Sequence, residues 1–297
     1  MLTLSKGFLR MKIIDIIKGN KPSLSFEVFP PKTFDSLESV RRVTEEIADL
    51  HPGYMSVTYG AGGTTDVYTA EIASCIAKRG VTPLAHLSCI GSDEEKVDKI
   101  LVELRKRGVE NILALRGDLP VGVEKHEGVY RFASDLVAKI REVGGFSIGG
   151  ACYPEGHPES VSAEQDLINL KNKVDRGLDF LTTQMFFDNS LYYRFLDRAA
   201  AVGIDLPVIP GIMPITAASQ VDRVVALSGS YLPPKFIGMV EKYGSDAVSM
   251  KQAGIDYATE QARDLYDHGV KNLHVYSMNK PDVAGAILCN LSDVVVK

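Results

Sequence analysis

Glu27 stands in an apolar frame, Phe26-Glu27-Val28-Phe29-Pro30-Pro31, that leaves little room for water around a carboxylate. Desolvation disfavours the charged form and raises the pKa, which is what a general acid working near neutral pH needs. A glutamate paired with a nearby Arg or Lys fits the same residues equally well. Arg116-Gly117-Asp118 ends another apolar run. There Gly117 permits close backbone approach to a ligand, and Asp118 can accept hydrogen bonds from the N–H groups of a heterocycle. A plain turn held by an Arg–Asp ion pair is the alternative. Asp166, Asn169 and Lys173 recur at helical spacing beside the apolar stripe Leu167, Leu170 and Val174. Such an edge can bind ribose hydroxyls and a phosphate, with Lys173 as the point charge, although solvated faces of this kind are common. His86 and His157 read as ligands or as half-buried, hydrogen-bonded histidines. No His, Cys and carboxylate grouping has metal spacing, so no metal is expected. A Ser-His-Asp order and a strand-end lysine placed for a Schiff base are both missing, which disfavours hydrolase and aldolase chemistry.

These residues need elements to hold them. Short apolar or β-branched runs read as strands over Ser23–Val28, Tyr54–Val57, Val81–Leu87, Asn111–Leu115, Ser147–Tyr153, Phe180–Thr183, Pro207–Ile212 and Leu273–Tyr276. Several are apolar throughout, as parallel strands covered on both faces are. Amphipathic segments fill the gaps: Asp35–Leu50, Thr64–Lys78, Arg131–Val143, Ser162–Arg176, Ser190–Val202, Ala217–Leu227, and Lys235–His268 with a break near Gly244. Ser92-Asp-Glu-Glu95 reads as a capping box with Ser92 at N-cap, opening a helix to about Arg107 that Gly108 ends, and Pro281–Leu291 would close the set. Strand–helix alternation of this length predicts an α/β fold, a (β/α)₈ TIM barrel, with a doubly wound sheet as runner-up. The predicted organisation is an N-terminal extension with a first helix over 1–20 and one catalytic barrel over 21–297. Gly60-Ala61-Gly62-Gly63 has the wrong spacing for a dinucleotide fingerprint, and no Walker A motif is present.

Active sites of such barrels lie at the C-terminal strand ends. Nearly every predicted strand ends in unusual chemistry: Glu27, then Thr58 and Tyr59, His86, Arg116 to Asp118, Tyr153 to His157, Gln184, and Tyr276 with Lys280. Their convergence carries more weight than any one of them.

Composition narrows the partners. A net charge of −5 argues against broad nucleic-acid or anionic-membrane binding. No apolar run approaches the roughly 18 residues of a membrane helix, and no signal peptide is evident, so a cytoplasmic location is expected. Met11 is a possible alternative start. Cys75, Cys89, Cys152 and Cys289 form no Cys-x-x-Cys pair, and three of them sit in apolar surroundings as buried reduced thiols would.

Phe26-Glu-Val-Phe-Pro-Pro31, Ser56-Val-Thr-Tyr-Gly-Ala61, His86-Leu-Ser-Cys-Ile90, Leu115-Arg-Gly-Asp-Leu-Pro120 and Tyr153-Pro-Glu-Gly-His-Pro158 resemble, in this order, signature segments of the methylenetetrahydrofolate reductase family. Thr183-Gln-Met-Phe-Phe-Asp188, Ile209-Pro-Gly-Ile-Met-Pro214 and His274-Val-Tyr276 with Asn279 continue the series to the C-terminus. The resemblance implies a barrel of the short, catalytic-domain type holding FAD non-covalently, with NADH or NADPH as hydride donor, methylenetetrahydrofolate as substrate and a homo-oligomeric state. Flavin contacts implied by it are Thr58, Tyr59, Ala61, His86, Arg116, Gly117, Asp118, Ala133, Tyr153, His157, Asp166, Asn169 and Lys173. Glu27 would be the general acid, Asp118 would reach flavin and pterin, and Gln184, Gln220, Tyr276 and Lys280 would meet folate or nicotinamide. The implied mechanism is ping-pong: nicotinamide reduces flavin N5 and leaves, Glu27 protonates N10 of the folate, and the opened iminium takes the hydride. Val224, Lys280, Asn172 and Phe132 depart from the pattern of well-known bacterial members. A flavin-independent or partner-dependent folate reductase, or a non-catalytic folate- or flavin-binding barrel, is the rival reading.

Overall fold

Strand and helix alternate through residues 11–59, 66–118 and 128–295, the parts of the chain that the structure, a computed structural model, describes. Ala61, the Gly60–Gly63 segment, Leu119-Pro120 and the predicted helix start at Thr64 lie outside them. The strands are β1 (Ser23–Val28), β2 (Met55–Val57), β3 (Pro83–Ser88), β4 (Asn111–Leu115), β5 (Ser147–Cys152), β6 (Phe180–Thr183), β7 (Val208–Ile209), β8 (Gly211–Ile212) and β9 (Asn272–Val275). The helices are α1 (Ile13–Ile17), α2 (Leu37–Ala48), α3 (Asp66–Lys78), α4 (Glu94–Lys106), α5 (Ala133–Val143), α6 (Ala163–Asp175), α7 (Asn189–Ala201), α8 (Gln220–Ser228), α9 (Pro234–Tyr243), α10 (Ala247–Asp267) and α11 (Pro281–Asn290).

Every ladder is parallel, in the order β7-β6-β5-β4-β3-β2-β1-β9-β8. Consecutive strands are neighbours, and β1 also pairs with β9, so the sheet curls into the expected (β/α)₈ barrel rather than a doubly wound sheet. The seventh predicted strand, Pro207–Ile212, is in fact two pieces. Pro210 has no N–H to give the ladder, so β7 pairs with β6 while β8 pairs with β9. Side chains bridge the seam: the Gly211 N–H donates to Thr183 Oγ1 at 2.9 Å, and Tyr276 Oη donates to the Thr183 carbonyl at 2.5 Å.

Alternation along each strand sorts residues into two environments. Leu24, Phe26 and Val28 pack outward into the layer shared with the helices. Inside, Tyr54, Leu84, Leu113, Phe180 and Ile209 form an apolar floor that α1 plugs with Ile13 and Ile17. Two asparagines fasten that plug. Asn111 Oδ1 accepts from the Ile13 N–H at 2.7 Å, and Asn272 Nδ2 donates to the Ile17 carbonyl at 3.0 Å. Above the floor the lining turns polar, with Ser25, Glu27, Ser56, His86 and His274 all buried.

The α4 cap differs from expectation. Asp93, with extended backbone, is the N-cap and accepts from the Lys96 N–H at 2.8 Å. Ser92 is buried one residue earlier, its N–H given to the Cys89 carbonyl. Cys75, Cys89 and Cys152 are buried and Cys289 exposed. Burial pushes the Cys75 and Cys89 thiols up to about 11 and Cys152 to about 12, which keeps them protonated.

Candidate active site

Register builds the centre of the site. Glu27 on β1 lies beside Ser56 on β2, and Ser25 beside His274 on β9, so four inward-facing polar groups meet above the floor. Ser56 Oγ donates to Glu27 Oε2 at 3.3 Å. The same carboxylate oxygen lies 3.5 Å from His86 Nε2 and 3.9 Å from His274 Nε2. Ser25 Oγ donates to the Leu273 carbonyl at 2.9 Å and sits 2.8 Å from His274 Nδ1. When that hydroxyl gives its proton to the carbonyl, the matching tautomer has the His274 proton on Nδ1 and leaves Nε2 as the acceptor facing Ser56 Oγ at 3.1 Å. The Ser56 hydroxyl therefore has two acceptors within reach, the imidazole and the carboxylate. Tyr54 stacks on His274 at 5.6 Å and Tyr276 meets it edge-on at 5.3 Å, fixing the ring.

His86 is neutral at ordinary pH. Burial pushes its pKa down from 6.5 to about 4, a drop that the Glu27 carboxylate only partly opposes, and its buried Nε2 makes no hydrogen bond. An unfolded histidine takes up its proton near 6.5, so between there and about 4 the unfolded chain binds more protons and stability falls as pH falls. The loss is about 3 kcal/mol at most. Urea unfolding at stepped pH should therefore show a shallower acid-side slope in His86→Gln than in the wild type. Identical slopes would mean that His86 is not held neutral.

Arg116, Gly117 and Asp118 follow β4. Gly117 has φ +87°, and a Cβ there would lie 2.9 Å from both Ile90 Cγ2 and Ser88 Cβ, so the close turn requires glycine. The Arg116 guanidinium is gripped by both Glu159 oxygens, at 2.5 and 2.7 Å, while Asp118 is exposed at the rim. The Arg–Asp ion pair of the alternative reading is not what holds this turn: Arg116 pairs with Glu159, although the Asp118 charge still acts on both Arg116 and Tyr153. Burial, with Asp118 next, raises the Tyr153 phenol to about 12, and the ring meets His157 edge-on at 4.6 Å.

Helix α6 is capped by Ser162, which accepts from the Gln165 N–H at 3.1 Å. Asp166 accepts from Ser160 Oγ at 2.9 Å, and Asn169 is exposed and bonded to Gln165. Lys173 turns inward: its ammonium donates to the Ala151 carbonyl at 2.6 Å, and burial lowers its pKa. A part-buried cation held by a carbonyl, the glycine turn at 117 and the unbonded His86 nitrogen fit a phosphate-bearing heterocyclic cofactor. Thr58 and Tyr59 follow β2, with Tyr59 packed on the core, and Ala133 opens α5.

On the far side, the Gln184 N–H donates to the Cys152 carbonyl at 2.7 Å, and its side-chain oxygen accepts from the Met185 N–H at 3.0 Å. Tyr276 anchors the residue before it through the Thr183 carbonyl. Gln220 Oε1 is turned into its own loop and accepts from the Thr216 and Ala217 N–H groups at 2.9 and 3.0 Å. Val224, which the resemblance marks as a departure, is buried with Phe187, Met213, Ile215, Phe236 and Met250. Ser25, Ser56 and His274 were not among the expected site residues. A period-two reading of the first and last strands, keeping Ser25 with Glu27 and His274 with Tyr276, would have found two of them.

A family model described as methylenetetrahydrofolate reductase matches residues 12–292. The chain is 37% identical over 266 residues to the 5,10-methylenetetrahydrofolate reductase of Escherichia coli (strain K12), covering 89% of each. It is 36% identical over 300 residues to methylenetetrahydrofolate reductase (NADH) 1 of Arabidopsis thaliana, covering 95% of this chain but only 51% of the plant protein. A solved structure described as an uncharacterized protein from Clostridium thermocellum that binds two copies of 5-methyl-5,6,7,8-tetrahydrofolic acid superposes over 97% of this chain with TM-score 0.60. At 11% identity that likeness speaks for the fold alone.

Proposed function

The chain belongs to the methylenetetrahydrofolate reductase family, and on that premise we propose that it reduces 5,10-methylenetetrahydrofolate to 5-methyltetrahydrofolate. The proposed electron source is NADH or NADPH, acting through non-covalently bound FAD. The observation that carries this reading is Glu27, a carboxyl side chain buried at the barrel mouth and backed by Ser56, His274 and His86.

Lys173, Arg116, Gly117, Asp118, Tyr153, His157, Asp166 and Asn169, with Thr58, Tyr59, His86 and Ala133, are the described residues that would hold FAD. When bound, FAD supplies a carrier for two electrons between nicotinamide and folate. The chain's own work is placement and proton supply.

Glu27 is the group placed to protonate the bridging N10 of the folate, which breaks the C–N bond and leaves an iminium at N5 ready to accept hydride. When the carboxylate forms, Ser56 can turn its hydroxyl from His274 to Glu27, which steadies the new charge without admitting bulk water. Its buried walls keep the reactive iminium from hydrolysis. Asp118 accepts from the pterin N–H groups at the rim, and Gln184 and Lys280 meet the remainder of the substrate. Both substrates use one mouth, so their binding is mutually exclusive.

An anaerobic titration tests the whole reading. The purified protein should show a flavin absorption band that one equivalent of NADH or NADPH bleaches and methylenetetrahydrofolate restores. A colourless protein that takes up no FAD, or a bleached band that the folate leaves unchanged, would sink it.

A further inference from the structure

Thr216 lies in the loop after β8, and nothing in its residue type marks it for chemistry. It is nonetheless the point where two proposed substrate groups meet. Its hydroxyl accepts from the Lys280 ammonium at 2.6 Å and donates to Gln220 Oε1 at 3.2 Å. With the Thr216 and Ala217 N–H groups on the same oxygen, Gln220 keeps only its amide N–H₂ uncommitted. Lys280 forms no ion pair among the described residues. The nearby carboxylate in the first turn of α11, Asp282, is held instead by Lys251. Hydrogen-bond donors are therefore gathered here with no carboxylate paired to Lys280 among the described residues.

The surroundings fix this arrangement from two sides. Behind the loop, a Cβ at Gly254 of α10 would fall 1.9 Å from the Ile215 carbonyl oxygen, so only glycine lets the helix seat the loop where it is. In front, Met278 and Asn279 adopt positive φ of 55° and 54°, and the Asn279 side chain bonds the Phe29 N–H at 2.7 Å and carbonyl at 3.1 Å. The backbone of Lys280 is thus anchored to the end of β1, the strand that carries Glu27. Four rotatable carbons still separate that backbone from the ammonium, and the Thr216 hydroxyl is what restrains the far end.

We propose that Thr216 is a positioning residue. It aims the Lys280 ammonium and the Gln220 amide as one donor cluster at the anionic tail of the bound substrate. The shared ligand chemistry is a carboxylate or phosphate oxygen, supplied by the folate tail or by the dinucleotide. This inference rests on the reading of Lys280 as a substrate contact.

The test uses the full-chain holoenzyme and measures KM and kcat separately for methylenetetrahydrofolate and for NADH. Thr216→Val, which keeps shape but loses the hydroxyl, should raise KM for at least one of them about tenfold with little change in kcat. Thr216→Ser should restore KM to within about twofold of wild type. Lys280→Met should raise the same KM, and adding Thr216→Val to it should change little more, as coupled residues do. A rise for folate assigns the cluster to carboxylates, and a rise for NADH assigns it to phosphates. Equal behaviour of the Val and Ser variants, or a wild-type KM in Thr216→Val beside a raised KM in Lys280→Met, overturns the positioning role. An unchanged KM in Lys280→Met removes the underlying contact, and the inference with it. Thermal midpoints of all variants separate these results from simple misfolding.

Discussion

Glu27→Gln should lose folate reduction by a factor of about 10² to 10⁴ while still oxidising reduced nicotinamide in the presence of an artificial acceptor. The substitution keeps the size of the side chain and a carbonyl oxygen for the Ser56 hydroxyl, which reaches Glu27 Oε2 at 3.3 Å. What it removes is a transferable proton. A buried amide beside neutral His86 also brings no uncompensated charge, so the barrel should stay folded. Separate measurement of the two half-reactions decides the point. If nicotinamide oxidation falls as far as folate reduction, Glu27 serves cofactor placement and the acid must be sought elsewhere.

Lys173→Met should weaken FAD retention by about 10- to 100-fold, the worth of a charge-assisted hydrogen bond to a phosphate in a partly buried setting. Its ammonium is held by the Ala151 carbonyl at 2.6 Å, and burial has already lowered its pKa, so the cation bears a cost that an incoming anion would offset. Methionine retains the apolar stem and leaves mainly the charge to be missed. Equilibrium release of flavin on dilution, followed by fluorescence, measures the change. An unaltered dissociation constant would show that Lys173 braces β5 and does nothing for a phosphate.

Much of this was legible from residue order alone, for identifiable physical reasons. Short strands are legible by their pattern: β1 alternates apolar Leu24, Phe26 and Val28 with inward polar residues, β4 is largely apolar and β6 opens on Phe-Leu, and all three were found to the residue. Chemistry at strand ends is legible because barrels concentrate it there, which is how Glu27, Arg116 and Tyr153 could be singled out. Competition between near-equal local choices was not legible. Ser92 and Asp93 are both good caps, and only the backbone angles and the Lys96 bond select Asp93. Pro210 sits inside an apolar run that reads as continuous, and the loss of one N–H splits it into β7 and β8. Long-range partners were out of reach altogether. Nothing in the neighbours of Arg116 announces Glu159, and nothing near Ser25 announces His274, because those contacts exist only once the cylinder has closed.

The broken seventh stave makes the enclosure a ring with a clasp. Around most of its circumference the wall is stitched by main-chain rungs that any sequence supplies. At the clasp the rungs divide, half the stave reaching β6 and half β9, and a threonine hydroxyl and a tyrosine phenol, Thr183 and Tyr276, tie the two halves across. Those two side chains reinforce the point where the rungs change partner, and drift at either would be felt as an oval mouth, with Gln184 and Lys280 moved apart before any strand came loose.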